Sequence, residues 1–232
     1  MSIHLDPSKK NIAVRLSGGP DSSIIYYAVC DFYKDYSDIS IYPYTVSTPL
    51  RPHSGSKAKK VVKVVTDLTG VSPTKHYVAW HEQHRLDNKP EVNSIEYTKG
   101  QDDLFTQICK MHPIDMHYTG LSINCPFDEL EAAIQTYNLS DECYRSLHFR
   151  DETRDVPTEL TISKMGNATM CMPFATYDKR EVRKEFDRYD VVDTLFPHTW
   201  SCEHNSQMHI SDPVHCGKCY FCIERVYAFG RL

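Results

Sequence analysis

At the centre of the sequence stands Leu16-Ser17-Gly18-Gly19-Pro20-Asp21-Ser22-Ser23, named the glycine loop below. An apolar run at residues 12–16 predicts a buried strand, and residues 24–29 predict the start of a helix. Two adjacent glycines allow the backbone to turn sharply and to approach a ligand closely. The first turn of a helix has unpaired N–H groups at the positive end of its dipole, so the loop is predicted to bind phosphate.

The side chains of the glycine loop add polar groups to this predicted phosphate site. Ser17, Ser22 and Ser23 supply hydroxyl donors, whereas Asp21 is unexpected beside phosphate. A carboxylate here indicates either a helix cap or a ligand of a magnesium ion that itself contacts phosphate. The loop is not a Walker motif, because no Gly-Lys-Ser/Thr follows it.

The motif Ser-Gly-Gly-x-Asp-Ser, at residues 17–22, resembles the signature of the PP-loop ATP pyrophosphatases. Members of that family use ATP to adenylate a carbonyl oxygen and release pyrophosphate. The resemblance implies ATP binding by Leu16, Ser17, Gly18, Gly19, Pro20, Asp21, Ser22 and Ser23. The alternative is a glycine turn in an α/β protein of another kind.

Length and composition bound the class of protein. The 232 residues are enough for one large domain or a domain with a small appendage, and 41% apolar residues predict a real core. A net charge of −5 argues against direct nucleic-acid binding. No apolar run predicts a membrane span or a signal peptide, so we expect a soluble, cytoplasmic protein without membrane partners.

Strand and helix patterns alternate along most of the chain. Strand patterns at residues 12–16, 39–46 and 75–78 are separated by helix patterns, and this order predicts an α/β fold with a doubly wound parallel sheet. Ser54 is expected to cap the second helix and Gly70 to end it. Residues 79–98 are predicted to form a surface connection, and the charged residues 150–155 a solvated loop.

Four of the nine cysteines lie close together near the end of the sequence. Nine cysteines without a secretion signal argue against a disulfide framework. Their spacing instead predicts a closed structural zinc site. An iron–sulfur cluster is the alternative, and nearby histidines are alternative ligands. The predicted ligands are Cys202, Cys216, Cys219 and Cys222.

Taken together, the motifs resemble 7-cyano-7-deazaguanine synthase of queuosine biosynthesis. The resemblance rests on the glycine loop, on Asp178-Lys179-x-Glu181-Val182 before a helix, and on Ser201-Cys202 followed by Cys216-Gly217-x-Cys219-x-x-Cys222. That family converts 7-carboxy-7-deazaguanine to the nitrile with ammonia and ATP. The resemblance implies an adenine nucleotide alpha hydrolase-like domain at residues 1–196 and a zinc-binding segment packed on it at residues 197–232.

The same resemblance implies roles for individual residues. Asp21 and Lys179 are the expected catalytic residues: Asp21 holds Mg²⁺ directly or through water, and Lys179 neutralises the α-phosphate or the leaving pyrophosphate. The alternative for Lys179 is a surface helix lysine. Arg51 and His53 are weaker candidates for substrate contact, because the family pattern is otherwise lost around them. A thiolate of Cys125 is a further, less favoured nucleophile.

The middle of the sequence departs from the family, which leaves the acceptor open. We expect a small-molecule deazapurine carboxylate and ammonia as substrates, and a homodimer is one option for the oligomeric state, which the sequence leaves open. The alternatives are another PP-loop enzyme that amidates or thiolates a different acceptor, and a non-catalytic nucleotide-binding module stapled by zinc. Adenylation is therefore predicted more firmly than the identity of the molecule that is adenylated.

Overall fold

The computed structural model describes residues 3–48, 51–81, 93–148, 162–165, 167–202 and 214–232. The strands in these ranges form one sheet with the order β3-β2-β1-β4-β6-β5. All neighbouring pairs are parallel except β5 and β6, which are antiparallel. Their bounds are β1 Asn11–Arg15, β2 Ser40–Ser47, β3 Tyr77–Trp80, β4 Met116–Thr119, β5 Ile162–Met165 and β6 Ala168–Cys171.

The strand order reverses direction between β1 and β4, which lie side by side. From β1 the chain moves outward through β2 to β3, and it then returns to β4 on the other side of β1. In open α/β sheets, ligands bind beyond the carboxyl ends of the strands at this reversal. The glycine loop follows β1, and residues 120–126 follow β4, so both segments begin at that place.

Helices connect the strands and cover the sheet. Within the described ranges the bounds are α1 Pro20–Tyr33, α2 Ser54–Thr69, α3 Asn93–Met111, α4 Phe127–Thr136, α5 Glu142–His148, α6 Lys179–Arg188 and α7 Tyr220–Phe229. A short 3-10 helix spans Phe196–His198. None of these helices is long and apolar enough to cross a membrane.

Alternate residues of β1 enter two different hydrophobic cores. Ile12 and Val14 pack in the larger core, which also receives side chains from α1, α2, α6 and α7. Ala13 faces the opposite side and packs with residues of β2 and α3 such as Tyr44 and Phe105. This two-sided burial is typical of parallel sheets covered by helices on both faces, and it holds in place the strand from which the glycine loop continues.

A third cluster attaches the end of the described chain to the rest. Leu130 and Ile134 of α4 and Leu147 of α5 pack against Tyr220 and Ile223 of α7. Helix α7 also contacts α6, so it has neighbours on two sides. Helix α7 is therefore anchored against α4, α5 and α6.

The predicted α/β doubly wound parallel sheet is confirmed, with local differences. Helix α2 ends at Gly70 as predicted, with the left-handed backbone that glycine favours. Ser54 is not its cap, since His53 occupies that position. The predicted surface connection at residues 79–98 is wrong at both ends, because β3 reaches Trp80 and α3 begins at Asn93. Residues 150–155 lie outside the described ranges.

Candidate active site and metal centre

The glycine loop forms the N-terminal boundary of α1. Gly18 has a φ of +82°, a left-handed conformation that strains any residue with a Cβ atom. Gly19 is the N-cap of α1 and Pro20 follows at its first position, where the missing N–H has no cost. Of the two interpretations of Asp21, the helix cap is therefore excluded, because the N-cap is Gly19 and no side chain caps the helix.

The three hydroxyl groups of the loop are held by local hydrogen bonds. Ser22 Oγ accepts the Ser17 N–H at 3.1 Å and lies 3.1 Å from Ser17 Oγ. Ser23 Oγ donates to the Gly19 carbonyl at 2.7 Å. Ser17 Oγ in turn accepts the Gly19 N–H at 3.3 Å. These bonds order the loop, and a phosphate that binds there would exchange some of them for its own oxygens.

Asp21 and Lys179 meet although 158 residues separate them in sequence. Lys179 Nζ donates to Asp21 Oδ2. Ser122 Oγ joins the pair, donating to Asp21 Oδ2 at 3.1 Å and accepting from Lys179 at 3.1 Å. The two charged side chains are only 11% and 12% exposed, so the ion pair is largely buried. Within the described ranges, Asp21 Oδ1 is buried without a hydrogen-bond partner.

The elements that carry these groups approach each other closely. Asp21 lies in the first turn of α1, Lys179 is the first residue of α6, and Ser122 lies in the segment after β4. A Cβ atom on Gly120 would lie 2.7 Å from the backbone nitrogen of Ser22, so only glycine fits there. This contact brings the segment after β4 against α1 and places Ser122 beside Asp21.

His53 is the N-cap residue of α2, and Arg51 lies two residues before it. His53 is 8% exposed, and its Nε2 has no hydrogen-bond partner among the described residues. Arg51 lies over the ring of Phe221 in α7, with 5.8 Å between the guanidinium carbon and the ring centre. The predicted contact of these two side chains with substrate stays a prediction.

The four predicted metal ligands converge on one point. The sulfur atoms of Cys202, Cys216, Cys219 and Cys222 all lie within 4.8 Å of one another. Cys216 Sγ and Cys222 Sγ are 3.9 Å apart. Four thiolates at 2.3 Å from one zinc ion would be separated by about 3.8 Å, so the observed arrangement fits a single tetrahedral ion. We name these residues the thiolate cluster.

Local sequence explains why the thiolate cluster forms. Gly217 has a φ of +72°, which allows the tight turn between Cys216 and Cys219. The N–H groups of Lys218 and Cys219 point at Cys216 Sγ, at 3.5 and 3.3 Å. Cys219 is also the N-cap of α7, so Cys222 reaches the same point from the first helical turn. Backbone donors of this kind stabilise a thiolate.

Helix α7 carries two buried charged residues that the sequence reasoning missed. Arg225 donates to Thr199 Oγ1 at 2.7 Å and to the Phe196 carbonyl at 3.0 Å, and burial lowers its pKa to about 9. Glu224 is 1% exposed. Charged residues inside the apolar sequence of α7 could have indicated that these side chains are buried and have polar partners. The sequence around Ser122 contains no comparable indication of its role.

Cys125 has the properties of a packing residue. Its side chain is 2% exposed within the third hydrophobic cluster, and its thiol lies 3.8 Å from Glu224 Oε1. Burial raises the pKa of this thiol, with the nearby Glu224 carboxylate acting in the same direction. A thiol of raised pKa is a poor nucleophile, so the geometry favours packing over a catalytic role.

Comparison with known proteins gives little further information. No protein-family profile and no curated protein sequence matches the chain. Among solved structures, the chain is similar to the U34-tRNA thiolase NcsA from Methanococcus maripaludis with its [4Fe-4S] cluster. The identity is 14% and the TM-score 0.46, over 81% of this chain and 59% of that one. At that distance the similarity assigns neither an activity nor a ligand.

Proposed function

We propose that this protein is an ATP-dependent enzyme that adenylates the carboxylate of a small deazapurine. Within the proposal, residues 1–196 form the ATP-binding domain and residues 197–232 a metal-binding segment packed on it. The observation that carries the proposal is the buried contact of Asp21, Lys179 and Ser122 beside the glycine loop. A loop that only held a phosphate would not need a buried ion pair from a distant helix.

The ion pair supports nucleotide chemistry because each of its two side chains has a further polar atom that can contact a ligand. The buried Asp21 Oδ1, which has no partner in the described ranges, is available to a magnesium ion or to one of its waters. The ammonium group of Lys179 carries three hydrogens, of which the described contacts use two. Its third hydrogen can donate to a phosphate oxygen, which stabilises the charge that develops during nucleotidyl transfer.

The reaction requires the carboxylate oxygens to leave, and hydroxide is a poor leaving group. The carboxylate attacks the α-phosphorus of ATP, forming an acyl adenylate and releasing pyrophosphate. Ammonia then attacks the carbonyl carbon and AMP leaves, which gives the amide. Adenylation of the amide oxygen by a second ATP, followed by loss of AMP and the remaining N–H protons, gives the nitrile. Lys179 and the loop N–H groups would position the phosphates in both halves.

We propose 7-carboxy-7-deazaguanine as the acceptor and 7-cyano-7-deazaguanine as the product, with formation of C–N bonds. Support comes from the pairing of a glycine loop, a distant lysine and a thiolate cluster in one chain. The buried Nε2 of His53, which has no hydrogen-bond partner among the described residues, can donate to or accept from the purine. We further propose that the reaction takes place in the cytoplasm on a free small molecule.

We propose zinc as the ion of the thiolate cluster. The sulfur atoms are close enough to share one ion. In a four-iron cluster, two irons and bridging sulfides separate each pair of cysteine sulfurs, which places them further apart. Zinc on four thiolates keeps no open position, so its role would be structural. Metal analysis should find about one zinc and no iron per chain, and labile sulfide would contradict this assignment.

Pyrophosphate release is the test of the proposed function. Purified protein is mixed with ATP and magnesium, with and without 7-carboxy-7-deazaguanine and ammonium. We expect release only with the acceptor, at two pyrophosphates for each nitrile formed. Release with a tRNA or another carboxylate instead would indicate a different PP-loop reaction. ATP binding without release under any of these conditions would support a non-catalytic module.

A further inference from the structure

Trp200 lies between the glycine loop and the thiolate cluster, and it is bonded to both. Its backbone N–H donates to the Gly18 carbonyl at 2.7 Å. Its indole Nε1 donates to the Cys202 carbonyl at 2.9 Å. One residue therefore joins the segment that is predicted to hold phosphate to the first ligand of the proposed metal ion.

The indole ring also contacts three side chains from other parts of the sequence. Lys57 Nζ lies 4.7 Å from the ring centre, a cation–π contact, and Lys57 is itself buried. The ring of His215, one residue before Cys216, lies 4.4 Å from the indole with a tilt of 32°. His53 contacts the indole edge-on at 6.4 Å. Side chains from α2 and from the cysteine-bearing segment thus fix the ring together.

The same contacts determine the shape of the glycine loop. A Cβ atom on Gly18 would lie 3.0 Å from Lys57 Cβ, so the loop packs directly on α2. A Cβ atom on Gly19 would lie 3.5 Å from the Trp200 carbonyl oxygen. Because a peptide unit is planar, the bond from Trp200 to the Gly18 carbonyl also fixes the direction of the Gly19 N–H. That N–H is one of the predicted phosphate donors.

Arg225 connects this arrangement to α7. Its guanidinium group donates to Phe196 and Thr199, two residues of the segment that leads to Trp200. Arg225 itself lies one helical turn after Cys222. The segment that leads to Trp200 is therefore anchored on the helix that supplies two of the four cysteines, one of them as its cap. A change in the position of α7 on loss of the metal would reach Trp200 through two routes, Cys202 and Arg225.

We infer that Trp200 is a positioning residue that couples the thiolate cluster to the glycine loop. Metal binding orders the loop through Trp200, and a ligand on the loop strengthens metal binding by the same factor, because such coupling is reciprocal. The identity of that ligand as ATP rests on the proposed function. The coupling itself concerns the order of the loop and does not depend on the reaction.

Hydrogen exchange of residues 16–23, measured without nucleotide, tests the coupling directly. We expect slow exchange in the zinc-loaded protein and faster exchange after chelation. Zinc-loaded Trp200→Leu should exchange as fast as the metal-free wild type while it keeps one zinc per chain. Trp80→Leu is the matched control, since Trp80 is the other tryptophan and is 44% exposed. Unchanged exchange in zinc-loaded Trp200→Leu would overturn the inference.

A second variant covers the case in which Trp200→Leu does not fold. Trp200→Phe keeps a ring for Lys57 and His215 but lacks the indole donor to Cys202, so its exchange should lie between the two wild-type states. In the wild type, the ATP affinity measured by calorimetry should be about tenfold higher in the zinc-loaded than in the metal-free protein. In Trp200→Leu, the zinc-loaded and metal-free proteins should bind ATP with equal affinity. If no form of the protein binds ATP, the proposed function fails, and hydrogen exchange still decides the coupling.

Discussion

The glycine loop and the thiolate cluster differ in what completes them. In the loop, the serine hydroxyls bond to loop atoms, and Asp21 pairs with Lys179 and Ser122. In the cluster, four sulfurs converge on one another and on backbone N–H groups. The loop is thus ordered by contacts among its own atoms and with distant segments, Trp200 included, whereas the cluster brings together four sulfur atoms that are close enough to share one ion. Substitutions should separate these two kinds of order.

The largest effect is expected from loss of the metal. Cys219→Ser should lose zinc, become sensitive to protease after Trp200, and melt about 10 °C lower, because a structural thiolate site contributes folding free energy directly. Metal analysis and thermal denaturation measure the change. Cys109→Ser, at an exposed cysteine, is the control and should resemble the wild type. A Cys219→Ser protein with full zinc content and an unchanged melting temperature would contradict the assignment.

Removal of the lysine should affect both stability and rate. Lys179→Ala leaves the Asp21 carboxylate buried beside Ser122 alone, which costs about 3 kcal/mol of unfolding free energy. The chemical rate should fall about 10²–10³-fold, with a smaller change in ATP affinity. Urea denaturation and single-turnover kinetics measure the two effects. Lys184→Ala, on the exposed face of α6, is the control. If both variants had the same single-turnover rate, Lys179 would have no part in the reaction.

The isosteric change of the carboxylate should separate charge from shape. Asp21→Asn keeps the volume of the side chain, so the fold should be retained with a loss of about 1–2 kcal/mol. Turnover should nevertheless be abolished, because the charge directed at magnesium is lost. Activity is measured over a range of magnesium concentrations, with Asp38→Asn as an exposed control. Full activity of Asp21→Asn at limiting magnesium would remove Asp21 from the proposed chemistry.

The smallest effect is expected from the hydroxyl that joins the pair. Ser122→Ala removes one partner from Asp21 and one from Lys179 but keeps the ion pair, so unfolding free energy should fall by about 1 kcal/mol. We expect turnover to fall about tenfold because Lys179 is held less firmly. If the Ser122→Ala enzyme releases pyrophosphate as fast as the wild type, Ser122 is not needed to position Lys179.

The sequence predicted the fold and the membership of the thiolate cluster better than the contacts between distant segments. The spacing of apolar residues and the glycines at turns and helix ends are local signals, and they correctly placed β1, α1 and the end of α2 at Gly70. The cysteines share a spacing that indicates one metal. No local signal distinguishes Ser122 from any other loop serine. Its position follows from Gly120, whose close approach to Ser22 depends on the packing of β4 against α1.

Two differences from prediction have a common physical reason. Helix α3 begins at Asn93, within a polar stretch that resembles a surface connection, because packing of its later residues on the sheet stabilises the helix as a whole. Strand β5 was not predicted, since it pairs antiparallel at the edge and lacks the apolar pattern of a central strand. In both cases tertiary contacts outweigh the local preference. The cap interpretation of Asp21, one of the two left open by the sequence, fails for a similar reason, because the carboxylate pairs with Lys179 of α6.

The bond from Trp200 to Gly18 has a consequence for the order of events during synthesis of the chain. The ribosome produces Gly18 and Asp21 early, whereas Lys179, Trp200 and Arg225 emerge much later. Strands β1 to β4 leave the ribosome before these residues, since synthesis proceeds from the N-terminus. The nascent loop nevertheless lacks the Lys179 ammonium group and the contact with Trp200 until those two residues have emerged. A chain interrupted before them would contain the complete phosphate motif and still be unable to form the site.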